Sequence, residues 1–162
     1  MENVNLDLSD KENAVRAVEG AVEVYNLAAD MCGMGFNKRY RVECLRSILI
    51  NTHMLEALYN AGVARYFFSF SACAYNIDLQ QDPNVRALKE SDAYPANAER
   101  GYGWEKLLSE IFCQEYYGER GLETHIVRFH NVYGLNGTWD VVAKKLPRPY
   151  VAKLSKQKIT VH

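Results

Sequence analysis

Several things this sequence lacks narrow what it can be. No apolar run approaches the ~18 residues that span a bilayer. The opening Met1-Glu2-Asn3-Val4-Asn5 has neither the basic start nor the apolar middle of a secretory signal. Charge of one sign is not in excess either. With 19 Lys and Arg against 20 Asp and Glu the net charge is -1, and the pI is near 6.4. Such a surface offers no basic field for nucleic acid or an anionic membrane. The four cysteines, Cys32, Cys44, Cys73 and Cys113, form no C-x-x-C pair and there are only four histidines. Neither a zinc site nor a disulfide framework is expected. These absences predict reduced, mostly buried thiols in a cytoplasmic setting.

What is present is ordinary globular material. The chain has 162 residues, 48% of them hydrophobic, 24% charged and 12% aromatic, enough for one substantial core. Ser9 or Asp10 caps a predicted helix whose apolar face carries Ala14, Val15 and Val18. Ala21 to Ala29 is β-branched and mostly apolar, and reads as a strand buried on both faces. The Met31-Phe36 segment that follows is a glycine-containing turn.

From Tyr40 to Asn60, Val42, Leu45, Leu49, Met54, Leu55 and Leu58 recur at helical spacing, and Gly62 supplies the stop. Residues 63-73 read as a strand delivering Ser71 and Cys73 to its C-terminal end. A long polar connection with Pro83 and Pro95 as breakers leads to a helix from Tyr102 to Tyr117. Leu107, Leu108, Ile111 and Phe112 are its expected inward face. The strand Glu123-Phe129 closes the series. Alternating strands and helices of these lengths predict βαβ units around a parallel sheet.

In such a sheet, ligands bind outside the carboxyl ends of the strands, which is where Ser71 and Cys73 fall. Tyr102 and Lys106 stand at i and i+4, neighbours on one helix face. An ammonium there can lower the phenol pKa and make it usable as an acid or base. Ser71 can hydrogen-bond a substrate oxygen or that phenol. One expected signature is missing: no Gly-x-Gly-x-x-Gly occurs anywhere in the 162 residues, although a dinucleotide turn normally supplies one. Gly33 and Gly35 have only its first spacing.

The runs Asn26-Leu-Ala-Ala-Asp-Met-Cys-Gly-Met-Gly-Phe36, Ser71-Ala-Cys73, Leu88-Lys-Glu-Ser-Asp92, Tyr102-Gly-Trp-Glu-Lys106, Arg128-Phe-His-Asn-Val-Tyr-Gly134 and Gly137-Thr-Trp139 occur in order along nearly the whole chain. Together they resemble the middle of the GDP-mannose 3,5-epimerase group in the extended short-chain dehydrogenase/reductase family. The resemblance implies an NAD-dependent epimerase acting on a GDP-mannose-type nucleotide sugar. Such an enzyme oxidises C4 of the hexose transiently and inverts neighbouring centres through enolisation.

By the same resemblance, Tyr102 is the base for the C4 hydroxyl, assisted by Ser71, and Lys106 holds the nicotinamide ribose. Cys73 and Lys145 form the acid/base pair. Asn131 and Gly33 contact substrate, and Asp7, Leu8 and Leu27 lie along the cofactor.

The expected fold is a truncated, Rossmann-like, doubly wound parallel sheet lacking the first two strands and the C-terminal substrate region. It occupies residues 1-150, with 151-162 a short basic tail. In that arrangement Val22-Leu27 becomes an exposed apolar edge, which predicts a homo-oligomer or another partner covering it. The alternative reading is a catalytically inactive fragment or pseudoenzyme acting through protein association.

Overall fold

A computed structural model describes residues 3-30, 33-81, 84, 87-129, 151-154 and 158-161. A two-residue strand, β1 (Asn3–Val4), precedes helix α1 (Lys11–Val18). Its start is fixed by Asp10, whose carboxylate accepts from the amides of Glu12 and Asn13. Then come β2 (Glu23–Asn26), α2 (Gly33–Arg39), the 20-residue α3 (Arg41–Asn60) and β3 (Arg65–Ser71). A connection containing three short 3-10 turns leads to α4 (Tyr102–Arg120) and β4 (Glu123–Phe129).

Strands β2, β3 and β4 are parallel neighbours, with Tyr66 opposite Val24 and Thr124. The helices α3 and α4 that connect them pack back on this sheet. The core lies between the strands and α1, α3 and α4, where Val24, Phe68 and Phe70 meet Val18, Leu55, Leu58 and Leu107. This is an α/β Rossmann-like sheet, as the βαβ alternation predicts.

Three expectations fail for identifiable reasons. The β2 strand is shorter than predicted and is buried on one face only: Val24 and Asn26 are enclosed while Tyr25 is half-buried against Phe67. The Met31-Phe36 segment is not a plain turn, since α2 begins at Gly33. The predicted open edge does not exist either. Residues 151-162 are not a mere tail but supply β5 (Val151–Leu154) and β6 (Lys158–Val161). These strands give the order β1-β6-β5-β2-β3-β4. The backbone groups of β2 are met by antiparallel β5, and those of β1 by β6. An unpaired strand edge is a ready template for another strand within reach.

The faces of the long helices also depart from the apolar periodicity. Val42, Leu45 and Leu49 of α3, and Leu108 and Ile111 of α4, point outward. Leu107 of α4 does face inward as expected, but the other positions turned inward along the first half of each helix include Cys44, Ser47 and Asn51 on α3, and Glu105, Lys106, Ser109 and Glu110 on α4. On α1, Val15 is exposed and Ala17 joins Ala14 and Val18 inside. Polar groups therefore occupy the seam between α3, α4 and the sheet. Among the described residues no helix is long and apolar enough to cross a membrane, and no group of side chains could hold a metal ion.

Candidate active site

Strand β3 ends at Ser71, whose extended backbone lets its hydroxyl accept from the amide of Cys73 at 3.2 Å and so cap a single 3-10 turn, Ala72–Ala74. The turn presents Cys73 half-buried at the carboxyl end of the sheet. Helix α4 starts against the same turn. Its entry is tied down by the Glu99 amide, which donates to the Cys73 carbonyl at 3.0 Å, and by the Trp104 amide, which donates to the Glu99 carbonyl.

Gly103 makes this approach possible, because a Cβ there would overlap the Cys73 carbonyl oxygen and press on the Glu99 Cβ at 3.1 Å. Tyr102 is thereby held beside Ser71 and Cys73. It packs in a small cluster with Ala29, Cys44, Cys73 and Phe36, the last carried in by α2.

The electrostatics of this pocket follow from burial. Enclosure pushes the Tyr102 phenol well above its ordinary value, and the Glu105 carboxylate and Cys73 add to the rise, whereas a hydrogen bond with Ser71 pulls it down. The expectation that Lys106 would lower the phenol pKa is not met. Its Nζ lies over the Tyr102 ring, 5.6 Å from the centroid, so burial dominates. Cys73 is also raised, by burial first, with Ser71 opposing and the Glu99 carboxylate reinforcing.

Lys106 is 1% exposed and sits 4.6 Å over the Phe68 ring. Its Nζ has no hydrogen-bond partner among the described residues. Burial lowers its pKa, and the neighbouring Glu105 raises it. A buried ammonium flanked by aromatic faces and lacking acceptors is costly. It fits a ligand that brings hydroxyl oxygens, such as a ribose.

Behind Lys106 lies a network that the sequence did not announce. Asn26 Nδ2 donates to Asn51 Oδ1 at 2.9 Å and to the Tyr66 hydroxyl at 2.7 Å. Asn51 Nδ2 donates to Glu105 Oε1 at 2.6 Å and to Ser109 Oγ at 2.8 Å. Ser109 Oγ in turn donates to Glu105 Oε1 at 3.0 Å. The chain of bonds locks β2, β3, α3 and α4 in register beneath the site.

Other expected residues are placed as follows. Leu27 is half-buried just past β2, and Gly33 opens α2. Asp7 is exposed and accepts from the Ser9 amide and hydroxyl at 2.9 and 2.7 Å, which lowers its pKa. Leu8 is enclosed in the core. Lys145 and Asn131 lie outside the described residues, as does Cys32. The structure therefore brings Ser71, Cys73, Tyr102 and Lys106 together, and Asp7 stands at the start of α1 as a local turn former. Glu99 and Glu105 have no signal in the periodicity. Their one clue is position, three residues before Tyr102 and one before Lys106.

Residues 2–161 match the model of the NAD dependent epimerase/dehydratase family. A GDP-mannose 3,5-epimerase of Arabidopsis thaliana is 41% identical over 149 residues, which are 91% of this chain and 40% of the relative. GDP-mannose 3,5-epimerase 1 of Oryza sativa subsp. japonica is 42% identical over 149 residues, 91% of this chain and 39% of the relative. The chain thus spans about 40% of the length of the curated relatives it matches. In fold it is similar to a GDP-D-glycero-L-gluco-heptose synthase from Campylobacter jejuni, with a TM-score of 0.73 at 21% identity over 84% of this chain and 40% of that one. It is also similar to the UDP-glucose 4-epimerase of Thermus thermophilus in complex with NAD, with a TM-score of 0.69 at 24% identity over 82% of this chain and 42% of that one.

Proposed function

We propose, from the premise that this chain belongs to the NAD dependent epimerase/dehydratase family, that it carries the acid/base centre of an epimerase acting on a GDP-mannose-type nucleotide sugar. The observation that carries this reading is the convergence of Ser71, Cys73 and Tyr102 at the end of β3, with the orphaned Lys106 ammonium beside the phenol. Both named plant relatives are GDP-mannose 3,5-epimerases.

NAD, held by Lys106 and Tyr102, would supply the hydride acceptor for the oxidation and the hydride for the return. The residues supply the rest. Tyr102 Oη takes the proton of the sugar hydroxyl being oxidised and gives it back on reduction, while the Ser71 hydroxyl orients the same oxygen. Lys106 meets the cofactor ribose with the donors that lack acceptors in the protein. Leu27 past the end of β2, together with Asp7 and Leu8, would be the further residues that hold the cofactor.

A ketone beside a C–H acidifies that carbon, so a thiol and an amine placed across the ring can exchange its proton, the unprotonated one abstracting it and the protonated one returning a proton to the opposite face. Cys73 is the thiol, and Lys145 the amine in this reading. Asn131 and Gly33 contact the sugar. A cytoplasmic setting suits the reduced Cys73. The test is conversion of GDP-mannose by the purified protein with NAD: epimers that appear with the native protein and vanish in Tyr102→Phe support the reading.

Association belongs to the same proposal, although not through the sheet edge. Side by side, α3 and α4 expose an apolar groove of about 320 Å3 lined by Leu45, Ile48, Trp104, Leu108 and Ile111. The occupant is a second copy. A two-helix face closes on itself about a two-fold axis, and a net charge of -1 gives no field for an oppositely charged partner.

A further inference from the structure

Glu99 is a carboxylate without an assigned purpose. It lies in the connection before α4, and its backbone is pinned on both sides of the Cys73 turn. Both of its carboxylate oxygens are buried, and neither has a hydrogen-bond partner among the described residues. Buried acceptors are nearly always satisfied, so an exception calls for a cause. Its Cβ faces the Gly103 position across which α4 meets Cys73. Packing has brought an ionisable group to the thiol that the β3 turn presents and, among the described residues, given its carboxylate no hydrogen-bond partner.

We propose that Glu99 is a positioning residue for Cys73: its enclosed, otherwise unpartnered carboxylate keeps that side chain as the thiol, so that Cys73 donates rather than abstracts the proton at the sugar carbon. This deepens the epimerase reading and rests on it for the identity of the acceptor carbon. In the step, the Cys73 S–H bond breaks and a C–H bond forms with the electron pair of the enolate carbon. The negative charge passes to sulfur. A thiolate beside a carboxylate is disfavoured, and the half-buried sulfur regains its proton from water.

The titratable groups that face Cys73 among the described residues are Glu99 in the connection, Tyr102 on α4 and Cys44 on α3, the last two packed in the same cluster. Of these, Glu99 is the group whose charge acts on the thiol. Burial alone would raise the thiol; Glu99 raises it further, against the Ser71 hydrogen bond. In this proposal labour is divided within the acid/base pair, and proton abstraction falls to the partner of Cys73.

The test is alkylation of Cys73 by iodoacetamide in the full chain, followed peptide by peptide by mass spectrometry from about pH 6 to about pH 11, a range that brackets thiol titration. Cys73→Ser serves as the blank. In Glu99→Gln, which keeps the shape and removes the charge, the midpoint should fall by about one pH unit, so that alkylation at fixed lower pH runs roughly tenfold faster. Glu99→Asp, retaining the charge, should follow the native profile, and Glu99→Ala, read alongside, should fall as Gln does. Coincident native, Gln and Ala profiles would overturn the proposal. The readout needs neither cofactor nor sugar. A shifted profile with no epimerase activity rejects the function and keeps the Glu99 assignment; epimerase activity with an unshifted profile does the reverse.

Discussion

Gly103 lies so close to the Cys73 carbonyl that a methyl group in its place would overlap the oxygen. The first turn of α4, with Tyr102 on one side of that glycine and Lys106 beyond it, is docked directly on the turn that carries the thiol. Gly103→Ala should push the two apart. A displacement near 1 Å at a reacting centre costs about 10²-fold in rate. The expected outcome is that order of loss in kcat with a lowered Tm; unchanged kcat would show that the contact does not set the geometry.

Ser71 draws the Tyr102 phenol down against the burial that raises it. A base whose pKa lies above the working range is active only in its minor, ionised form, so kcat/KM rises with pH on the acid side of that pKa. Removing the hydroxyl raises the phenol further. In Ser71→Ala the ascending limb should move to higher pH. A pH profile superimposable on the native one would remove Ser71 from this role.

Arg128 and Glu110 form a buried pair, with side chains 9% and 4% exposed, joined at 2.7 and 3.1 Å. The guanidinium is stacked 4.8 Å from the Phe70 centroid and 5.1 Å from that of Tyr75, and it also donates to the Glu90 carbonyl. It thus ties β4 and α4 to the connection above the site. Removing one partner from a buried pair leaves the other charge uncompensated and costs about 3 to 5 kcal/mol. Glu110→Ala should lower the urea midpoint by that order at unchanged m-value; a loss below about 1 kcal/mol, the scale of an exposed pair, would contradict the burial seen here.

The outward apolar face of α3 and α4 predicts self-association. Leu108→Glu, at a position 46% exposed in the single chain, should convert a dimer to a monomer in light scattering while leaving the fold intact. A native protein that is already monomeric at micromolar concentration would reject the second copy as the occupant.

Much of this arrangement was legible in the sequence. The β3 strand could be read because Tyr66, Phe68 and Phe70 alternate into the core, and Tyr102 and Lys106 because a helix puts i and i+4 on one face. The inner faces of α3 and α4 could not. Asn51, Glu105 and Ser109 look like surface residues until their partners on other elements are known, and Leu45 and Leu108 look like core by periodicity alone. The closure of the β2 edge was hidden for another reason: four-residue strands carry almost no pattern of their own. Glu99 stayed invisible because a loop carboxylate acquires meaning only when tertiary packing strips it of water.

The most direct measurement of the central claim is isotope exchange. The purified chain is incubated with NAD and GDP-mannose in deuterium oxide, and the nucleotide sugar is examined by proton NMR and mass spectrometry. Acid/base epimerisation at carbons beside a transient ketone predicts solvent deuterium at those ring carbons with the native protein, and none with Tyr102→Phe, which cannot form the ketone. Epimers that carry no deuterium, or a sugar recovered unchanged and unlabelled, would contradict the account.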